Sequence, residues 1–362
     1  MLTLSTYPLV VHAGSAKALA AGRVYLRYTL TAGVVLLLGV VLLYSLTNNH
    51  SFASEQGLSP YLDDHRGLLT LIFALLVGGL AVKAAMVPLH GWLPRAMVAP
   101  APVSALLHAV AVVKAGAFGI LRVIYDLYGI ELSVELGVTT VLAVAASITI
   151  IYGSLRAIAQ EELKPRLAFS TISQVSYVVL GVSLFGPFGT IGALAHLLHQ
   201  GLMKVTLFFC AGNYAEELGI HRLDEMDGAG KRMPLTSLAF TVGALGMIGL
   251  PPTAGFITKW YLGMGAIEAD MYWVVAVLVA SSTLNAIYFL PIVHRLWFRE
   301  GPAHGKGQWP KEQSLGRLET HGWLLWPAVL TAVISIGAGL LAGLPFSPLD
   351  WATRVAVGEY LP

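Results

Sequence analysis

Charge is scarce in this chain. Lysine, arginine, aspartate and glutamate together make up 12% of its 362 residues, whereas 56% are hydrophobic. A soluble domain carries about 25% charged residues, so too little charge is present to cover a water-exposed surface of this size. Most of the surface is therefore expected to face lipid, which predicts an all-α polytopic membrane protein.

Cysteine and cofactor motifs are also lacking. The single cysteine, Cys210, lies in an apolar run and has no partner for an internal disulfide, a zinc site or an iron–sulfur cluster. No nucleotide fingerprint, flavin site or metal motif is found. We therefore expect no cofactor, no metal and no nucleic-acid partner, and interpret Cys210 as a small buried apolar residue.

Long apolar runs dominate the rest of the chain. A membrane span needs about 20 such residues, and nine spans are predicted, at residues 28–46, 68–89, 101–125, 134–155, 166–185, 188–213, 235–267, 272–293 and 323–344. Residues 1–12 look like the end of a further helix, and the longest polar stretch, 294–321, is predicted to be a loop. The whole chain, 1–362, is expected to form a single transmembrane domain.

The basic residues fall mainly on alternate loops. The nine spans place fifteen of the 22 lysines and arginines on one side, three on the other and four inside spans. The fifteen are Lys17, Arg23, Arg27, Arg95, Arg156, Lys164, Arg166, Arg222, Lys231, Arg232, Arg295, Arg299, Lys306, Lys311 and Arg317. Because cytoplasmic loops carry the excess of positive charge, we predict a cell inner (plasma) membrane protein with these loops in the cytoplasm and the C-terminus outside.

Prolines should interrupt two of the spans near mid-membrane. Pro88 lies in the 68–89 span, and Pro251 and Pro252 lie in the 235–267 span. Proline removes a backbone donor and clashes with the preceding turn, and broken helices at membrane depth commonly mark an ion path. A packing kink is the alternative, but each break lies within a few residues of a lysine inside a span, which favours the ion path.

Seven basic side chains inside spans are the candidate site, and no Asp or Glu lies deep in any span. These side chains are Lys83, His108, Lys114, His196, His199, Lys204 and Lys259. A charge near the bilayer centre costs at least ~2.5–3.5 kcal/mol, so it is a functional-site hypothesis by default. Amines and imidazoles repel bare cations but exchange protons, which suits a proton relay. The structural alternatives are snorkelling, above all for Lys83, and interhelical hydrogen bonding by the histidines.

Helix geometry supports a lined path on one helix. On the 188–213 helix, His196, His199 and Lys204 share one broad face and climb about 12 Å at 1.5 Å per residue. His108 and Lys114 lie about 120° apart around their own helix, so they cannot both face one line of water.

At these positions the chain resembles the antiporter-like subunits shared by respiratory complex I, Mrp-type sodium/proton antiporters and membrane-bound hydrogenases. The resemblance is carried by the stretches from Lys83 to Gly116, Arg166 to Tyr177, His196 to Lys204, Lys231 to Pro234, and Gly249-Leu-Pro-Pro-Thr-Ala-Gly-Phe256 leading to Lys259. It implies that the seven basic residues translocate protons, with Na⁺ as a second candidate ion. The chain would act as one subunit beside other membrane subunits.

The resemblance also implies two half-channels, with residues 1–155 as the remnant of the first and residues 156–362 as the second plus C-terminal helices. In the family, the lysine matching Lys83 pairs with a glutamate that precedes the segment matching Leu2-Thr-Leu-Ser-Thr-Tyr-Pro8. Because the chain begins at Met1, we expect that glutamate and the helices before it to be missing. The sequence is then a fragment, a misplaced start or a shortened paralogue, and Lys83 has no evident carboxylate partner in its own chain.

Two other functions stay open at this point. A quinone-reducing enzyme would need redox motifs that this chain lacks, so any such chemistry would belong to partner subunits. A non-conducting structural or assembly subunit is the alternative that the missing helices favour. The energy source, the exchanged cation and the branch of the family are left open by the sequence.

Overall fold

The computed structural model describes residues 2–48, 58–301, 309 and 319–360. Within these ranges the chain is almost entirely helical and has no β-strand, only an isolated antiparallel bridge between Glu162 and Arg222. The twelve main helices are α1 (Leu2–Val11), α2 (Ala16–Thr47), α3 (Leu62–Lys83), α4 (Ala101–Tyr128), α5 (Val138–Ile158), α6 (Leu163–Ser183), α7 (Pro187–Glu217), α8 (Pro234–Ile248), α9 (Ala254–Glu268), α10 (Tyr272–Phe298), α11 (Gly322–Leu340) and α12 (Pro348–Tyr360). The all-α polytopic fold is confirmed, and α1 is a ten-residue helix at the place where the sequence predicts the end of a helix.

Seven helices in the described ranges are long and apolar enough to cross a membrane, and each overlaps a predicted span. The other two predicted spans correspond to α6 and to the α8–α9 pair. In α6, 19 of the 21 residues are buried against neighbouring helices, so this helix tolerates a polar composition that lipid would not. Helices α8 and α9 have 15 residues each, too few to cross alone, and together they form one interrupted span.

The first predicted span began too late in the sequence. Helix α2 starts at Ala16, where the Ser15 hydroxyl accepts a hydrogen bond from the Ala18 N–H. Because its first turns carry charged residues, their hydropathy is as low as that of a loop. At 1.5 Å per residue the 32-residue helix is about 48 Å long, so these turns extend beyond a hydrocarbon core of about 30 Å.

Helix α7 is the centre of the bundle. It packs against α6, α8, α9, α11, α12 and the start of α4. Close approach depends on small residues, since a Cβ on Gly192 would lie 2.9 Å from the backbone nitrogen of Leu262 in α9. Polar side chains on α7 are therefore surrounded by protein.

Both predicted breaks are present. Helix α3 ends at Lys83, and residues 84–91, which include Pro88, form non-helical turns. The backbone groups freed there find side-chain partners, because the Val87 N–H donates to the Thr149 hydroxyl at 3.1 Å and the Val82 carbonyl accepts from the Trp92 indole at 2.7 Å. Helix α8 ends at Ile248 and α9 begins at Ala254, with both other prolines in the gap.

The C-terminal region contains an interruption that the sequence did not predict. Helix α11 ends at Leu340, short of the predicted residue 344, and α12 belongs to no predicted span. A Cβ on Gly339 would contact the backbone of Thr253 at 2.7 Å, so α11 ends beside the α8–α9 break. Helix α12 then packs along the first half of α7, where Ala352 and Ala356 join Ile191 in one apolar cluster.

The predicted loop 294–321 is shorter than expected, because α10 continues to Phe298. Most of the remaining loop, at 302–308 and 310–318, lies outside the described residues, together with three of the basic residues counted above. At its end the carboxylate of Glu319 accepts hydrogen bonds from the N–H groups of Leu235 at 2.8 Å and Thr236 at 2.6 Å. This side chain therefore caps the N-terminus of α8 from another segment of the chain.

A buried line of lysines and histidines

The predicted site residues lie on four helices in the middle of the bundle. His108 and Lys114 belong to α4, His196, His199 and Lys204 to α7, Lys259 to α9, and Lys83 ends α3. The three histidines and Lys204 are 0% exposed and Lys114 is 8% exposed, whereas Lys83 and Lys259 are half-buried.

Six of these residues lie close enough for their protonated forms to repel one another. A protonated Lys114 would repel the protonated forms of His196, His199 and Lys204. A protonated Lys259 would in the same way repel a protonated His196, and a protonated Lys204 would repel a protonated His108. We call these six residues the basic line; the seventh predicted residue, Lys83, ends α3.

The amine of Lys204 is held by α6 and α10. Its Nζ donates to the Leu167 carbonyl at 3.1 Å and to the Ser170 hydroxyl. It also lies 6.0 Å from the centre of the Phe289 ring. A charge on this amine is therefore stabilised by neutral dipoles and an aromatic face.

The amine of Lys259 occupies the break between α8 and α9. It donates to the carbonyls of Ile248 at 2.7 Å and Met247 at 3.1 Å, and to the Ser282 hydroxyl at 3.0 Å. The last carbonyls of a helix lack intrahelical donors, so Lys259 satisfies groups that the end of α8 leaves free. All three of its N–H groups have an acceptor.

The histidines and Lys114 are less well satisfied. The Nδ1 atom of His196 is 3.0 Å from the Thr258 hydroxyl. Its Nε2 atom, both ring nitrogens of His108 and His199, and the Nζ of Lys114 have no hydrogen-bond partner in the protein. Buried polar atoms rarely stay unpartnered, and ordered water is their usual partner when no protein atom is available.

No carboxylate accompanies the basic line. None of the ion pairs among the described residues includes one of the four lysines inside spans. Within the same ranges no group of three or more His, Cys, Asp and Glu side chains could hold a metal ion. Ion pairs such as Arg122–Asp126 and Arg295–Asp227 involve none of the basic line's residues.

Charge-based reasoning missed the uncharged polar residues of the site. Gln174 and Gln200 are fully buried, and neither oxygen nor nitrogen of either amide has a partner. The hydroxyl of Tyr177, whose ring centre lies 5.3 Å from that of His196, is also unpartnered. Polar amides inside apolar spans are the signal that would have identified both glutamines.

Two cavities open where the predicted basic loops meet. The larger, of about 860 Å³, is lined by Lys17, Arg95, Lys164 and Arg222 among others. The second, of about 480 Å³, lies between the α5–α6 turn and α10 and is lined by Arg166 and Arg295. The basic residues that line the two cavities come from all five basic stretches that the sequence places on one side, and they lie at one end of the bundle.

Known proteins resemble this chain over most of its length. The profile of the family described as NADH:quinone oxidoreductase/Mrp antiporter, transmembrane, matches residues 1–285. The chain is 38% identical over 344 residues to NADH-quinone oxidoreductase subunit N of Desulforudis audaxviator, which covers 93% of this chain and 68% of the relative. It is 35% identical over 275 residues to hydrogenase-4 component B of Escherichia coli, which covers 72% of this chain and 40% of the relative.

Solved structures share the fold over almost the whole chain. The Mrp complex from Dietzia sp. contains a chain that matches with a TM-score of 0.85 and 28% identity, over 99% of this chain and 72% of that chain. Respiratory complex I from Thermus thermophilus gives a TM-score of 0.73 and 26% identity, over 94% of this chain and 71% of that chain. With the profile match and these similarities, the chain belongs to the NADH:quinone oxidoreductase/Mrp antiporter family of transmembrane proteins.

Proposed function

We propose that this chain translocates protons across the membrane through the basic line, as one subunit of a larger membrane complex. The observation that carries the proposal is a row of amines and imidazoles inside the bundle to which the described residues supply no acidic counter-ion. The relatives support the assembly, because they include a subunit of an NADH-quinone oxidoreductase, a hydrogenase component and a chain of an Mrp complex.

The chemistry of the line favours protons over metal cations. Lysine and histidine can each take up and release a proton, and burial makes their charged forms costly enough for a neighbouring charge to displace that proton. A bare sodium ion would meet nitrogen donors where it needs oxygen ligands. Sodium exchange, if this complex performs it, therefore belongs outside the basic line.

The unpartnered atoms support a route for the proton through α7. His196, His199 and Gln200 lie on α7, which packs against both the start of α4 and α9. Their free nitrogen and oxygen atoms are suitable partners for water. Water bridging these atoms would carry a proton from α4 to α9. The Lys259 amine then holds that proton at the α8–α9 break.

The remaining sequence predictions become parts of the same proposal. Residues 1–155 belong to a first half-channel, and residues 156–362 form the second together with the C-terminal helices. The basic end of the bundle faces the cytoplasm, and the C-terminus lies outside the inner membrane.

Substitution of Lys204 and Lys259 tests the proposal. Lys204→Ala and Lys259→Ala should lower proton flux in sealed vesicles by about 10²-fold, the smaller end of the range for a lost proton-transfer group. Lys259→Arg should slow flux while keeping assembly, because arginine does not release its proton. The matched control is Lys17→Ala, which removes an exposed lysine.

The complex should be followed by native electrophoresis beside the flux measurement. Normal assembly with unchanged flux in the two alanine variants would overturn the proton proposal. Loss of the whole complex in both alanine variants and in Lys259→Arg would instead favour an assembly subunit.

A further inference from the structure

Close packing of α7 against α9 brings a histidine of the basic line to an uncharged polar side chain. A Cβ on Gly192 of α7 would lie 2.9 Å from the backbone nitrogen of Leu262 in α9. His196 follows Gly192 by about one turn on α7, and Thr258 precedes Leu262 by about one turn on α9. Because the two helices are antiparallel here, His196 and Thr258 meet, and backbone packing sets their contact.

The Thr258 hydroxyl has two neighbours. It lies 3.0 Å from His196 Nδ1 and 3.0 Å from the carbonyl oxygen of Gly255, about one turn earlier in α9. Bonding to the carbonyl three or four residues before is common for a threonine inside a helix. Both His196 and Thr258 are 0% exposed, so neither contact is replaced by bulk water. The hydroxyl has only one hydrogen to donate between these two neighbours.

The number of hydrogens fixes the direction of both bonds. A carbonyl can only accept, so the Thr258 hydroxyl must donate to Gly255, and the hydrogen between Thr258 and His196 must come from Nδ1. If Thr258 donated to Nδ1 instead, the neutral ring would carry its hydrogen on Nε2. That nitrogen has no partner among the described residues, and buried N–H groups without an acceptor are rare and costly. Both arguments place the hydrogen of the neutral ring on Nδ1.

This arrangement leaves one nitrogen of His196 free to exchange protons. Nε2 lies on another edge of the ring and points away from Thr258. The neutral ring can take up a proton there while its Nδ1–H stays bonded to Thr258. Release from Nδ1 would need an acceptor that can keep or pass on a proton, and the Thr258 oxygen, whose own hydrogen bonds Gly255, does neither. The ring therefore gains and loses its proton at the same atom.

We infer that Thr258 is a positioning residue for proton transfer, which holds the hydrogen of neutral His196 on Nδ1 and so confines proton exchange by this ring to Nε2. The inference rests on the proposed proton function and deepens it. His196 then takes a proton from water and returns it to water, and no proton crosses the ring toward α9. The proton reaches Lys259 through the water beside the ring.

The other titratable groups around His196 stay unchanged in the test. The Tyr177 ring of α6 has its centre 5.3 Å from that of His196. Lys114 of α4, His199 of α7 and Lys259 of α9 are near enough to repel the charged imidazole. Helices α8 and α11 carry no titratable side chain. Those of α12, of which the first two form an ion pair with each other, are Asp350, Arg354, Glu359 and Tyr360.

The position of the hydrogen can be measured directly by solid-state NMR. The full chain is labelled with ¹⁵N in its 11 histidines, reconstituted in lipid bilayers and studied at a pH where the His196 ring is neutral. Ring nitrogens with and without a hydrogen differ in chemical shift, and the signals missing in His196→Gln belong to His196. We expect the hydrogen on Nδ1 in the wild type and in Thr258→Ser, and a mixture of both forms in Thr258→Val.

The same variants are compared by proton flux in sealed vesicles that carry the whole complex, driven by a K⁺ diffusion potential. Thr258→Val keeps the side-chain shape and should lower the flux about tenfold, as expected for loss of one buried hydrogen bond. Its flux–pH curve should move to lower pH by about one unit, because the charged ring loses an acceptor. Thr258→Ser should restore both. The control is Thr29→Val, since Thr29 is also buried and its hydroxyl donates to the Tyr25 carbonyl of its own helix at 2.7 Å.

A hydrogen on Nε2 in the wild type would overturn the inference, and so would identical spectra of the wild type and Thr258→Val. A changed spectrum with an unmoved flux–pH curve would also refute it, because the hydrogen bond would then have no part in transport. The spectra do not depend on transport, and the wild-type spectrum decides even if Thr258→Val fails to assemble. Failure of the proton function itself would be recognised separately, by unchanged flux in Lys204→Ala and Lys259→Ala.

Discussion

Two glycines on neighbouring helices test how closely α3 and α4 must pack beside the first break. A Cβ on Gly116 of α4 would lie 2.7 Å from the carbonyl carbon of Lys83 and 2.8 Å from the Leu80 carbonyl oxygen, and closer still to the nitrogen of Ala84. A Cβ on Gly78 of α3 would have nothing within 4 Å. The same change to alanine is therefore expected to act with opposite signs at the two positions.

The magnitudes follow from this geometry. Alanine inside a helix is favoured over glycine by roughly 0.5–1 kcal/mol, and nothing opposes this gain at Gly78. At Gly116 the neighbours are backbone atoms, which cannot rotate away, and overpacking of this kind costs typically about 1–3 kcal/mol. Gly116→Ala should therefore lower the free energy of unfolding by about 0.5–2 kcal/mol, and Gly78→Ala should raise it by up to about 1 kcal/mol.

The single cysteine supplies the assay. Cys210 is fully buried, so a thiol-reactive fluorogenic maleimide should label it only as the solubilised protein unfolds. One kcal/mol shifts the melting temperature by about 2–4 °C in domains of 150–250 residues and by less in a longer chain. Melting shifts of the same sign in the two variants would refute the packing argument.

Two further changes probe helix ends. Glu319→Ala removes the charged cap from the N–H groups of Leu235 and Thr236, and we expect it to cost about 2–4 kcal/mol in the maleimide assay, with Glu319→Gln intermediate; wild-type stability in the alanine variant would contradict this. Thr149→Val deprives the Val87 N–H of its acceptor at the first break, at a cost of about 1–3 kcal/mol. An unchanged melting temperature would show that this N–H finds another partner.

The hydropathy of the sequence predicted where the chain crosses the membrane, because charged residues are excluded from every span whose surface faces lipid. It located the start of α2 poorly, since Lys17, Arg23 and Arg27 occupy turns that are helical but lie beyond the apolar core. It also could not show that α6 is enclosed by protein. The enclosure of α6 depends on the packing of α5 and α7 against it. The sequence of one span alone does not indicate which helices pack around it.

The charged residues of the candidate site could be predicted from the sequence. The cost of burying an amine singles out Lys114, Lys204 and Lys259 from their apolar sequence neighbours alone. Their partners were hidden, because carbonyls at a helix end and hydroxyls such as Ser170 carry no sequence signal of their own. Helix α12 was missed for a related reason, since its contacts with α7 depend on small residues such as Ala352.

The protein acceptors around the amines are distributed unevenly along the basic line. Lys259 has three acceptors, Lys204 has two, and Lys114 has none in the protein. A charged amine in a low-dielectric interior is stabilised by the dipoles directed at it. The protein supplies these dipoles at Lys259 and leaves them to water at Lys114, so the proposed proton path depends on water most at its α4 end.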